Sequence, residues 1–159
     1  MPYSAIKVAN EFLRLARESE PARSLTPLQL MKLVYIAHGW SLALRDRALL
    51  SDTVEAWKYG PVIPDLYQKI KKFGSSGITE ELNEGIWSFG AAISDDDRAL
   101  IKDVHAKYGK YNGVQLSNLT HMPGTPWAEV YEPNTFGIDV PDNIIAAHYK
   151  QLAKERGGR

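Results

Sequence analysis

The segment LTPLQLMKLVYIAHGWSLAL, Leu25 to Leu44, constrains this chain more than any other. Leu28, Leu30, Met31, Leu33, Val34, Ile36, Ala37, Trp40 and Leu42 fall on nearly every side of a helix. A helix that is apolar almost all round has no face to give to water, so other elements must enclose it. Its start is well marked. Thr26 stands at the N-cap, Pro27 at the first helical position and Gln29 at capping-box spacing. Gln29, Lys32, His38 and Ser41 interrupt the apolar run, which falls short of the ~20 residues that span a bilayer. The segment therefore predicts the buried central helix, about residues 26–44, of a water-soluble fold.

The remaining sequence supplies the cover. Ile6, Ala9, Leu13 and Ala16, with Phe12 beside them, predict an amphipathic helix over Ser4 to Ser19, capped by Ser4. Lys7, Asn10, Glu11, Arg14 and Arg17 fill its other side. Arg45-Asp46-Arg47 reads as a turn. Leu49 to Trp57 has room for one or two short extended pieces, and Gly60-Pro61 reads as a turn. Pro64 opens a helix that runs to about Phe73, with Leu66, Ile70 and Phe73 inward and Gly74 as its stop. Ser75 to Ile93 is irregular, with Ile86-Trp87-Ser88-Phe89 as an extended flap. Ser94 caps a helix whose inward residues are Ala99, Leu100, Val104 and Tyr108. A shorter helix spans Val114 to about His121. Thr125-Pro126 opens another, and a last one runs from about Pro141 to Lys154, with a frayed tail beyond it. The expectation is a mainly α fold with at most a small β element, in one domain with its core at about 4–154. A length of 159 residues fits one domain.

Composition narrows the function classes. Nineteen Lys and Arg balance nineteen Asp and Glu, for a formal net charge of +0. That balance argues against a mainly phosphate-driven nucleic-acid binder. The chain has no cysteine, which removes disulfides, thiolate metal sites and Cys nucleophiles. The start, Met1-Pro2-Tyr3-Ser4-Ala5, lacks a signal pattern, so the expected location is the cytoplasm.

Residues able to carry chemistry are scattered. His38, His105, His121 and His148 have no partner at zinc-ligand spacing, and His38 reads as a core or rim histidine with one hydrogen bond. Thr120-His121 are adjacent without a nucleophile-elbow motif, so the pair reads as the closure of a short helix. Asp95-Asp96-Asp97 suits the positive end of a helix. Lys69, Lys71 and Lys72 read as a solvated face. An enzyme would need His121 or His38 in a deep pocket. No catalytic, cofactor-binding or metal-binding residue is assigned, no cofactor is expected, and the chain is not read as an enzyme.

Two aromatic, proline-containing stretches remain. EAWKYGPV (Glu55 to Val62) sets Trp57 and Tyr59 beside Gly60-Pro61. LTHMPGTPW (Leu119 to Trp127) sets His121 and Trp127 around two prolines. Rigid turns that present aromatic residues suit protein recognition. The alternative is that Trp57 and Trp127 are core residues at loop–helix junctions.

These stretches also carry a resemblance. VANEFLRLA (Val8 to Ala16), LTPLQLMKLVYIAHGWSLAL (Leu25 to Leu44), EAWKYGPVIPDLY (Glu55 to Tyr67) and LSNLTHMPGTPW (Leu116 to Trp127) occur in the order and spacing of the Panacea antitoxin domain family. The chain resembles that family, also described as SocA-like or phage-associated GepA-like. The resemblance implies a mainly helical antitoxin that neutralises a cognate toxin by direct protein–protein binding. It implies, as the alternative, an adaptor that delivers the toxin to an ATP-dependent protease. No cofactor is implied, and no helix-turn-helix module is expected before Val8 or after the last helix. The candidate partner-binding or interface-shaping residues are Trp57, Lys58, Tyr59, Pro61, Val62, His121 and Trp127.

Overall fold

In the computed structural model the described residues are 2–85 and 92–157. The elements in chain order are α1 (Ala5–Arg17), α2 (Pro27–Arg45), β1 (Glu55–Trp57), β2 (Gly60–Val62) and α3 (Pro64–Ile70), which tightens into a 3-10 turn at Lys71–Phe73. Then come α4 (Asp95–Tyr108), α5 (Gly113–His121), α6 (Pro126–Val130), β3 (Ile138–Asp139) and α7 (Asp142–Gly157). The fold is mainly α. The expected flap, Ile86 to Phe89, lies outside the described residues.

Helix α2 is the axis. Every residue from Leu30 to Leu42 is buried, and α1, α3, α4, α5, α7 and β2 all pack on it. Its start follows the sequence signal: the Thr26 hydroxyl accepts from Gln29 N, while the Gln29 side chain accepts from Thr26 N. Each large apolar side chain enclosed this way contributes roughly 1.5–3 kcal/mol. Helix α7 packs closely against α2. A Cβ on Gly39 would overlap the Tyr149 ring, which also stacks edge-on against Trp40 at 5.1 Å.

Several expectations change. Glu11 of α1, placed on the polar side by spacing, is buried and ion-paired to Arg14, with Arg98 of α4 at 3.9 Å. Ala99 is exposed, and Ile101 is buried in its place. Helix α7 runs past its expected end at Lys154 to Gly157, with Leu152 and Ala153 against the core and Arg156 bonded to the Tyr108 hydroxyl; the tail beyond Gly157, where fraying is expected, lies outside the described residues. His38 has two hydrogen bonds rather than one. Its Nδ1 accepts from Leu50 N, so the proton sits on Nε2, which faces Asp142 at 2.9 Å. Of the three aspartates, Asp97 is a buried tie. Burial alone would raise its carboxyl, but hydrogen bonds from Tyr3, Arg47 and Ser94 hold it below the ordinary range.

The contact between Gly39 and Tyr149 gives a direct test. Gly→Ala inside a helix normally stabilises by ~1 kcal/mol. Here Gly39→Ala is expected to destabilise by roughly 1–3 kcal/mol, because the new methyl group must displace a packed ring. Urea unfolding measures it, and a variant as stable as the parent would show that α7 does not pack at this depth.

Candidate functional site

The site is built on the hairpin of β1 and β2. Trp57 pairs with Gly60, Ala56 with Pro61 and Glu55 with Val62, which leaves Lys58 and Tyr59 as the turn. The expected turn at Gly60-Pro61 is therefore displaced by two residues, and Pro61 lies in a strand. The sheet order β2-β1-β3 explains how: β2 is an edge strand, where a missing N–H breaks no outward ladder bond. Gly60 has φ +126°, a region that only glycine adopts without strain.

Three side chains hold the hairpin by its backbone carbonyls. Lys32 Nζ of α2 donates to Pro61 O at 3.0 Å. Ser117 Oγ of α5 donates to Tyr59 O at 3.2 Å. Trp127 Nε1 of α6 donates to Trp57 O. The predicted residues thus divide in two. Trp127, stacked on Tyr131 at 4.5 Å and edge-on to His121 at 5.4 Å, buttresses the hairpin. His121 donates from Nδ1 to Ser117 O and so steadies the same support. Thr120 is also structural, donating to Leu116 O and Ser117 O. Pro61 contributes its carbonyl.

Trp57, Lys58, Tyr59 and Val62 instead line a half-open cleft of about 570 Å3 between the hairpin, α2 and α3. Trp57 is half-buried, so neither of its two expected descriptions fits alone. Its ring lies edge-on to Tyr67 at 4.9 Å and tilted to Phe136 at 5.1 Å, while its Nε1 donates to Glu55. Tyr59 and Phe136 stand out from the rim, 71% and 78% exposed. Phe136 reaches the site because β3 pairs with β1. Neither His38 nor His121 lines the cleft.

The most unusual member is Lys32, which reading by pattern treated as a mere interruption of α2. It is 1% exposed yet lines the cleft, beside Met31. Burial pushes its amine down from 10.5 to about 7, because a charged ammonium loses its hydration there. A Cβ on Gly60 would sit 2.6 Å from Lys32 Nζ, so the glycine makes room for the amine as well as for the turn. A lysine within an otherwise apolar helix face was the available signal. Among the described residues no group of three His, Asp or Glu is placed to hold a metal, and no helix is long and apolar enough to cross a membrane.

Residues 30–128 match the family described as Antitoxin SocA-like, Panacea domain, which is more than half of the sequence. The chain belongs to the Panacea family. It is also similar to the protein named Antitoxin SocA from Caulobacter vibrioides (strain NA1000 / CB15N), 29% identical over 136 residues, covering 79% of this chain and 72% of that protein. No solved structure matches. The Panacea match includes the hairpin, Lys32 and the buttress residues Ser117, His121 and Trp127. It leaves out Phe136 and the helix start Pro27-Leu28, which complete the cleft. In this Panacea chain the matched part builds the frame, while part of the rim comes from outside it.

Two outcomes follow. Trp127→Phe keeps a ring against Tyr131 but loses the donor to Trp57 O, and is expected to cost ~1 kcal/mol in urea unfolding. A cost near zero would show that the hairpin is held by packing alone. The second concerns pH. Lys32 has a folded pKa below its unfolded value, so the unfolded chain binds more protons between them. Its contribution to stability is lost as pH falls through about 7 and grows toward pH ~10, by at most ~1.4 kcal/mol per pH unit. Tyr35 and Tyr149, whose hydroxyls burial pushes above their ordinary range, oppose this only beyond pH ~10. Lys32→Met is expected to flatten the stability–pH curve between 7 and 10, and an unchanged curve would show that the amine is hydrated in the folded chain.

Proposed function

We propose that this chain is the antitoxin of a toxin–antitoxin pair, acting in the cytoplasm, and that it neutralises its toxin by direct contact through the cleft between the hairpin, α2 and α3. Panacea membership and the likeness to a protein named as an antitoxin support the role. The single observation behind the contact surface is the rim. Tyr59 and Phe136 project large aromatic faces into solvent beside the half-buried Trp57. Exposed aromatics around a pocket are the groups that anchor protein interfaces. In this reading His121, Ser117 and Trp127 shape the interface from behind, and Lys58 and Val62 complete its wall. The cleft is one anchor within a larger contact, since stable complexes bury roughly 1,200–2,000 Å2.

The experiment is co-expression with the protein encoded beside this gene, in cells with and without their main ATP-dependent proteases. Growth and co-purification are scored. Direct masking is expected to rescue growth in both backgrounds with a co-purifying pair. The double variant Tyr59→Ala/Phe136→Ala is expected to lose rescue and co-purification while its melting temperature stays close to the parent's, because both side chains are mostly exposed. Rescue only where a protease is present would replace masking with delivery for degradation. A double variant that rescues fully would move the contact off this cleft.

A further inference from the structure

We propose that the cleft receives an apolar segment of the partner that carries a carboxylate, and that the carboxylate seats on the side chain of Lys32. This rests on the proposed antitoxin role and names the chemistry of the toxin segment recognised. Three observations carry it. The first is the state of Lys32. An ammonium has three N–H donors, and Pro61 O takes one. No opposite charge among the described residues offsets its burial. A buried, unpaired cation is costly to keep, and a methionine would fill the same volume. The second is the charge of the walls. Lys32, Lys58 and Lys71 line the cleft and, among the described residues, no Asp or Glu does; Glu55, held by Trp57 Nε1, is not one of the lining residues.

The third is size and polarity. The remaining lining is largely aromatic and aliphatic, from Met31, Val62, Ile70 and Tyr67 to the exposed Tyr59 and Phe136. About 570 Å3 is the scale of a ligand pocket and takes a few side chains. An apolar segment alone would leave the amine without a counter-charge, and an acidic segment alone would leave the aromatic rim uncovered. A segment with both satisfies both. When the carboxylate arrives it favours the protonated amine, so the partner supplies the counter-charge that the fold lacks. The bond to Pro61 O also ties α2 to the hairpin, and that tie by itself is the rival explanation of Lys32.

The test has two arms. In the first, the unmodified chain is titrated with 3-phenylpropionate and with its neutral amide, 3-phenylpropanamide, following the Trp57 indole N–H by NMR. The carboxylate is expected to bind at least about tenfold more tightly than the amide, and Lys32→Met to abolish that preference. Equal binding of the two probes to the unmodified chain overturns the inference, whether or not the variant folds. In the second arm, the affinity of the co-purified toxin is measured for the parent, for Lys32→Met and for Lys150→Met as a surface control. A loss of roughly tenfold or more, confined to Lys32→Met, supports the inference. A complex that forms equally well with Lys32→Met overturns it and leaves the antitoxin reading standing. A toxin that never binds the parent overturns the antitoxin reading, and with it the identity of the occupant.

Discussion

From Leu30 to Leu42 the central helix is closed off from water, and everything else in the fold is arranged to make that possible. A surface helix needs cover on one side. This one needs it on all sides, so α1, α4, α5 and α7 come from different parts of the chain to surround it. The same requirement produces a close contact between α2 and α7. Gly39 carries no side chain because the Tyr149 ring occupies that space. It also calls for hydrogen-bond partners for the polar side chains His38, Ser41 and Lys32 of α2. His38 bridges Leu50 N and Asp142, Ser41 donates to Arg47 O, and Lys32 donates to Pro61 O.

Those matched groups turn the core helix into a support for the hairpin. A three-residue hairpin strand pair has little stability alone. Here α2, α5 and α6 each donate to one of its carbonyls, from Lys32, Ser117 and Trp127. The hairpin is thus held against the core at its back, while Lys58 and Tyr59 at its tip stay exposed. In the proposed contact, a hairpin tied at its back with an aromatic rim in solvent would lose little freedom on binding. The buried amine gives that surface a chemical preference that an apolar cleft alone would lack.

Much of this organisation is legible in the sequence. The capping box at Thr26, the caps at Ser4, Ser94 and Thr125, and the stop at Gly74 set the helix ends nearly where they occur, because each depends on local hydrogen bonds and backbone angles. The EAWKYGPV stretch stands out in the sequence because aromatic residues beside a glycine with a special conformation leave a local mark, and it forms the hairpin that lines the cleft. Residues that depend on remote partners were misplaced. Glu11 looked solvent-facing by spacing, yet it is buried through its ion pair with Arg14 and the neighbouring Arg98. Gly60-Pro61 looked like a turn, but an edge strand accommodates both.

Periodicity, capping and motif order are written along the chain, and they are enough for the mainly helical class, the buried identity of α2 and the resemblance to the Panacea family. Which groups meet depends on how the helices pack. The tertiary structure brings Phe136 to Trp57 through β3, sets His121 and Trp127 behind the hairpin rather than in the cleft, and encloses Lys32 beside Gly60. These are contacts between residues far apart in the chain. Their energies depend on burial and distance, and neither quantity exists until the helices have packed.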